Sequence, residues 1–155
     1  MNKKEYINFY EGQDRINIYS AGSDPEKHSF INVLNSVKKY LSVKSPKVLE
    51  IGAGNGRFQD VFENYVGIDI TESSRKFFHK KYIIIKDGHR YPFQDNYFDL
   101  VFTNAVFEHI PQVNVALHEM IRVTKVDGYI VFNPAWQCRP WAADGYPVRP
   151  YSDFS

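Results

Sequence analysis

Cysteine is almost missing from this chain. Cys138 stands alone, so no internal disulfide can staple the fold. Charge of one sign is not in surplus either: 19 Lys and Arg against 18 Asp and Glu leave a net charge of +1. Charge alone therefore points to neither nucleic acid nor a membrane surface. No apolar run approaches the roughly 20 residues a membrane span requires. Met1-Asn2-Lys3-Lys4-Glu5 leads into polar sequence without an apolar leader core. The Gly-Lys-Ser/Thr ending of a triphosphate-binding loop is absent, which excludes that class of nucleotide site. Internal repeats and low-complexity tracts are also lacking. A cytoplasmic globular protein is the expectation.

What is present fits a packed core. The chain is 43% hydrophobic, 24% charged and 16% aromatic over 155 residues, which argues for one domain spanning 1–155 and against disorder. Residues 1–22 carry scattered aromatics (Tyr6, Phe9, Tyr10, Tyr19) and read as an irregular or briefly helical lead-in packing across the domain. An α/β core follows over 23–133. Residues 134–155, with Pro134, Pro140, Pro147 and Pro150 among several aromatics, read as an extended arm.

The core alternates helix and strand. Ser23-Asp24-Pro25-Glu26 is a helix start, and Phe30, Leu34, Val37 and Leu41 give its apolar stripe, which Ser45-Pro46 stops. Strands are expected at Lys47–Ile51, Tyr65–Ile70, Tyr82–Lys86, Phe98–Asn104 and Tyr129–Asn133. Between them the pattern predicts a short helix carrying Phe58, Val61 and Phe62. A second runs from about Glu72 to Lys80, and a third carries Val115, Leu117, Met120 and Ile121. Such alternation implies βαβ units and a parallel, doubly wound Rossmann-like sheet of about five strands with helices on both faces.

Chemistry should collect beyond the carboxyl ends of those strands. Strand one runs out into Gly52-Ala53-Gly54-Asn55-Gly56, strand two ends in Asp69, strand three in Asp87-Gly88-His89, and strand four in Asn104. Asp69 at a strand tip can accept from ribose hydroxyls, as an acid does in dinucleotide sites, although strand-end acids also cap helices. Arg57 occupies the position where the dinucleotide fingerprint needs a third glycine or alanine. Glu50, an acid ending an apolar strand, is costly unless paired, which favours a role in the site over simple amide capping. Asp87-Gly88 is equally ordinary turn chemistry. Asp99 reads as structural, and His109 taken by itself reads as a packed or capping histidine. Asn133-Pro134-Ala135-Trp136 resembles the N-P-P-aromatic motif of amino-methylating nucleic-acid enzymes, but it follows strand five rather than strand four and lacks the second proline, so it is discounted.

Glu50-Ile51-Gly52-Ala53-Gly54-Asn55-Gly56 resembles the E-x-G-x-G-x-G motif of class I S-adenosylmethionine-dependent methyltransferases. Tyr91 to Val101, Phe107-Glu108-His109-Ile110, His118 to Val123 and then Asp127-Gly128 are similar to later blocks of that family's small-molecule branch, which includes the ubiquinone and menaquinone methyltransferases. The resemblance covers roughly residues 45 to 134. It implies S-adenosylmethionine as cofactor and S-adenosylhomocysteine as product. It further implies that the glycine turn passes under the methionine and ribose, with Glu50 steadying the turn or the amino group. Asp69 would hold the ribose hydroxyls, and Ile70 would pack on the adenine. Asp87 would accept from the adenine amino group beside Gly88 and His89, and Asn104 and Ala105 would line the methionine end. His109, near the mouth, is the one candidate base; no residue is assigned to a metal.

The implied activity is methyl transfer to a small-molecule, glycan-linked or lipid-linked acceptor by in-line displacement. The alternatives are a non-catalytic subunit of the same fold and an NAD(P)-dependent oxidoreductase. The family ordinarily adds two strands after strand five, and the residues after Asn133 are too few for them. We read the chain as truncated there; a naturally short domain and an edge completed by a partner are the alternatives. The expected partners are the acceptor and a second copy meeting at the exposed sheet edge or the arm, with no nucleic acid and no membrane.

Overall fold

The computed structural model describes Ile7, Asn8, Tyr10 and Glu11 together with residues 29–134. Five strands form one sheet: β1 Lys47–Ile51, β2 Asn64–Asp69, β3 Lys81–Ile84, β4 Phe98–Asn104 and β5 Thr124–Asn133. Their order is β3-β2-β1-β4-β5, and every neighbouring pair is parallel. The expected doubly wound, Rossmann-like sheet is therefore observed.

Alternation along the central strands sorts the core into two layers. Leu49, Ile51 and Val101 face one side, where helix α2 (Val113–Val123) brings Ala116, Met120 and Val123. Val48, Leu100 and Phe102 face the other, where helix α1 (Phe30–Lys38) brings Phe30 and Leu34, joined by Phe58, Phe62 and Tyr65. Phe30, Phe58 and Phe102 meet edge-on or tilted, with ring centroids 5.5–6.1 Å apart. Six of the seven residues of β4 are buried because helices cover both of its faces, as the apolar run Phe98-Asp99-Leu100-Val101-Phe102 implied.

Three elements differ from expectation. No helix forms after the glycine turn: residues 57–61 make irregular turns, although Phe58 and Phe62 are buried as expected. The Glu72–Lys80 helix is only a 3₁₀ turn at Ser73–Phe77, ended by Phe78 in extended conformation. Its one buried side chain is Ser74, so no apolar face repays helix nucleation there. Strand β5 begins five residues early, at Thr124. Phe98 pairs with Thr124 and Leu100 with Tyr129, so the Asp127-Gly128 turn is a bulge inside the strand rather than its prelude. Asp127 takes a φ of 62° there. The helix start at Ser23–Glu26 and the arm after Pro134 lie outside the described residues.

Two polar clusters tie the frame. Asp99 accepts from the Lys47 amide at 2.8 Å and the Lys125 ammonium at 2.6 Å, joining β1, β4 and β5. Burial pushes this carboxyl up, but Lys125 and the Lys47 amide outweigh it and hold Asp99 below the usual carboxylate range, in the structural role expected of it. The Arg122 guanidinium binds Glu119 at 2.5 Å, Asp95 at 2.6 Å, and the carbonyls of Phe93 and Tyr91 at 2.9 and 3.1 Å. It thereby fastens the loop before β4 to α2.

Candidate cofactor site

The strand order reverses between β1 and β4, since β2 and β3 lie to one side of β1 and β4 and β5 to the other. A crevice opens at the carboxyl end of such a switch point. The glycine turn leaves β1 there. Gly52, Gly54 and Gly56 all adopt positive φ, at 70°, 51° and 72°, a region that carries a steric penalty for other residues. The Gly52 and Ala53 amides donate to the Ile68 carbonyl at 2.9 and 3.0 Å, which anchors the start of the turn to β2. The Gly56 amide closes back on the Ala53 carbonyl at 2.9 Å, with Asn55 half-buried between. Val106, just past β4, packs directly on Gly52: a Cβ built there would stand 2.4 Å from both Val106 methyls. At Gly54 a Cβ would meet nothing within 4 Å among the described residues, so the tip of the turn faces open space there.

Asp69 lies against this tip. Its carboxylate accepts from the Gly54 amide at 2.8 Å, the Ile70 amide at 2.7 Å and the Thr71 hydroxyl at 3.2 Å. Burial raises its pKa above the ordinary value, and these three donors oppose the shift. Oδ2 accepts one of these bonds, and a carboxylate oxygen has room for another. Glu50 sits deeper on β1 and is buried. The Tyr65 hydroxyl donates to its Oε2. Desolvation pushes the Glu50 carboxyl up to about 8; Tyr65 pulls it back, Asp69 adds to the rise and Arg57 counters it.

The other expected residues lie on the same rim. Asp87 follows β3, and its Oδ1 accepts from the Gln112 amide at 3.4 Å. Gly88, with φ 73°, abuts the Gln112 side chain, and His89 is exposed beyond it. The Asp87–His89 loop is thus tied to the start of α2. Asn104 ends β4 and accepts from the Asn133 amide group at 2.7 Å, while Ala105, with φ 54°, donates its N–H to the Asn133 carbonyl at 2.8 Å. His109 ends a 3₁₀ turn at Phe107–His109, and its Nε2 is 3.9 Å from Glu108.

Five contributors escaped the sequence reading: Tyr10, Glu11, Tyr65, Val106 and Asn133. The Tyr10 ring lies 6.2 Å from that of His109, past β4. Glu11 accepts from the Glu72 and Ser73 amides at 2.6 and 3.0 Å, past β2. These neighbours place Tyr10 and Glu11 at the carboxyl ends of β4 and β2. A bare Tyr or Glu in an unpatterned segment carries no such signal.

Two acids, Glu50 and Asp69, beside a glycine turn fit a ligand that combines positive charge with ribose hydroxyls. The open space at Gly54 gives that ligand room. Among the described residues no His, Cys, Asp or Glu cluster gathers as a metal site, and no helix is long and apolar enough to cross a membrane.

Comparison with known proteins agrees with this geometry. A family profile described as "Methyltransferase domain" matches residues 49–132. A phthiotriol/phenolphthiotriol dimycocerosates methyltransferase of Mycobacterium ulcerans is 24% identical over 97% of this chain and 62% of its own length. A ubiquinone/menaquinone biosynthesis C-methyltransferase of Burkholderia multivorans is 30% identical over 66% of this chain and 50% of its own. The chain thus spans about half to two thirds of the length of these relatives. A phosphoethanolamine N-methyltransferase of Haemonchus contortus, solved with phosphoethanolamine and S-adenosylhomocysteine, shares the fold with a TM-score of 0.54 at 21% identity, over 84% of this chain and 33% of that one. The nicotinamide alternative finds no support in these likenesses. The profile match spans over half the chain and begins one residue before the acid of its glycine motif, and the chain belongs to the S-adenosylmethionine-dependent methyltransferase family.

Proposed function

We propose that this protein binds S-adenosylmethionine at the β1 glycine turn and transfers its methyl group to a small-molecule, glycan-linked or lipid-linked acceptor. The observation that carries the reading is the contact of Asp69 with the Gly54 amide at the switch point: acid, glycine tip and open space stand together where a ribose would lie. The cofactor supplies an activated methyl on a sulfonium, so the protein's work is alignment and exclusion of water. On this reading Gly52 to Gly56 pass beneath the methionine and ribose, and Asp69 takes the ribose hydroxyls. Ile70 and Asp87, with Gly88 and His89 beside it, frame the adenine, while Asn104 and Ala105 close the methionine end. His109, with Tyr10 near its ring, accepts the proton that an acceptor hydroxyl or amine gives up as the methyl arrives. Relatives named for dimycocerosate lipids and for fatty-acid O-methylation favour a lipid-linked acceptor within that range.

Titration calorimetry with S-adenosylhomocysteine tests the cofactor. One site is expected, with affinity falling at least tenfold in Asp69→Asn, a variant of the same size. Absence of heat with folded protein would sink the reading.

We also propose a homodimer in which two copies pair along β5. That edge strand exposes Tyr129, Ile130 and Phe132 with no charge among residues 129–133, and two such edges meeting about a twofold axis would each offer the other the same residues. Cofactor binding by such an assembly without turnover on any acceptor would favour a non-catalytic subunit. A cytoplasmic setting belongs to the same proposal and is tested by cell fractionation.

A further inference from the structure

Tyr65 belongs to no motif, yet among the described residues it is the hydrogen-bond donor to Glu50, the buried acid beneath the glycine turn. Across β1 and β2, Tyr65 pairs with Val48 and Gly67 with Glu50. Tyr65 and Gly67 share a face of β2, two residues apart. A Cβ at Gly67 would stand 3.0 Å from the Tyr65 hydroxyl, 2.8 Å from the Ala53 Cβ and 3.0 Å from the Phe78 ring. The missing side chain opens a slot along which the Tyr65 ring leans until its hydroxyl meets Glu50. Both residues are sealed, at 3% and 4% exposure.

Few charges reach this pair. Asp69 acts on both from the tip of β2, Arg57 on Glu50 from the turn and Tyr82 on Tyr65 from β3; on the β4 side the register neighbour of Glu50 is Phe102, which does not titrate. Burial comes first among the causes that push Glu50 up to about 8. The same burial, with the neighbouring Glu50, drives the Tyr65 hydroxyl well above its ordinary value, so Tyr65 stays a donor. In the free protein, burial of this sealed pair therefore favours the neutral form of Glu50.

We propose that Tyr65 is a positioning residue that holds the protonated Glu50 beneath the glycine turn, and that seating the cofactor's ammonium group drives the Glu50 proton to solvent, leaving a carboxylate held by Tyr65. The inference rests on the cofactor reading above and deepens it. One O–H bond breaks at Glu50, its electron pair stays on the carboxylate, and water or buffer takes the proton. Positive charge in the site offsets the cost of an ion that burial otherwise disfavours.

The sign follows from linkage. Binding that releases a proton weakens as pH falls below the titration of Glu50, tenfold per pH unit at the limit, and levels off above it. Calorimetry of S-adenosylhomocysteine at pH 7, in buffers of different ionisation enthalpy, is expected to show close to one proton released. The affinity should rise nearly tenfold from pH 6 to pH 7. Methylthioadenosine, which lacks the amino-acid moiety, is expected to bind with no release. Glu50→Gln should flatten the pH profile. Tyr65→Phe removes a donor that favours the carboxylate, so its profile should shift to higher pH and its affinity at pH 7 should drop several-fold. A merely structural role for Tyr65 would lower affinity by the same factor at every pH and overturn the assignment. If Tyr65→Phe does not fold, the proton count of the unsubstituted chain decides. Tight binding with no proton released overturns the inference and leaves the cofactor reading standing, whereas no binding at any pH removes both.

Discussion

Gly52 and Gly54 share a left-handed backbone but stand in opposite surroundings, and alanine should separate the two. At either position a Cβ costs about 1–2 kcal/mol through the backbone alone. At Gly52 it would also collide with the Val106 methyls at 2.4 Å, adding about 1–3 kcal/mol of overpacking. Denaturant titration should therefore find Gly52→Ala less stable than Gly54→Ala by that margin. Gly54→Ala should instead lose S-adenosylhomocysteine affinity, because its new methyl enters the space reserved for ligand. Equal stability of the two variants would refute the packing at Val106. The strand-end places of the glycines, Glu50, Asp69 and Asp87 were legible, because the hydrophobic pattern marks the strands that lead into them. Tyr65 and Val106 were not, because an apolar or aromatic residue in a strand looks the same whether it serves the core or the site.

At the scale of elements, the strands were easier to read than the helices. Strand β1 matches its expected span because a Val-Leu-Glu-Ile run buried on both faces has no helical alternative of that length. The helix foreseen after Glu72 shrank to a 3₁₀ turn because residues 73–77 offer only Ser74 to the interior. Order before β4 comes instead from Arg122, whose planar fork bridges Glu119, Asp95 and two carbonyls. Arg122→Ala is expected to cost about 2–3 kcal/mol and to speed hydrogen exchange at the Tyr91 amide, which donates to Glu119 at 2.7 Å. Arg122→Lys should recover less than half of that, since one ammonium cannot replace the fork. Full recovery would mean that charge alone holds the loop.

For the whole molecule, the unmatched feature is the flank formed by β5 and α2. Tyr129, Ile130 and Phe132 are 40–44% exposed on the strand, and Val113, Leu117 and Ile121 form an exposed stripe one helical turn apart on α2. Light scattering of the purified chain should give twice the monomer mass, and Ile130→Lys should return it to monomer with cofactor binding intact. A monomer at all concentrations would exclude the pairing.

Local pattern by itself determined the alternation of strands and helices, the parallel sheet and the glycine turn with its acids, because hydrophobic period and backbone sterics act over a few residues. Only the assembled parallel sheet, with its strand order reversing between β1 and β4, brings those acids to one end of the molecule. The slot at Gly67 that lets Tyr65 reach Glu50, the clasp of Asn104 by Asn133, and the contacts of Tyr10 with His109 and of Glu11 with the Glu72 and Ser73 amides were likewise decided by tertiary structure. Each depends on register or on contacts between distant segments, and distance along the chain carries no record of either.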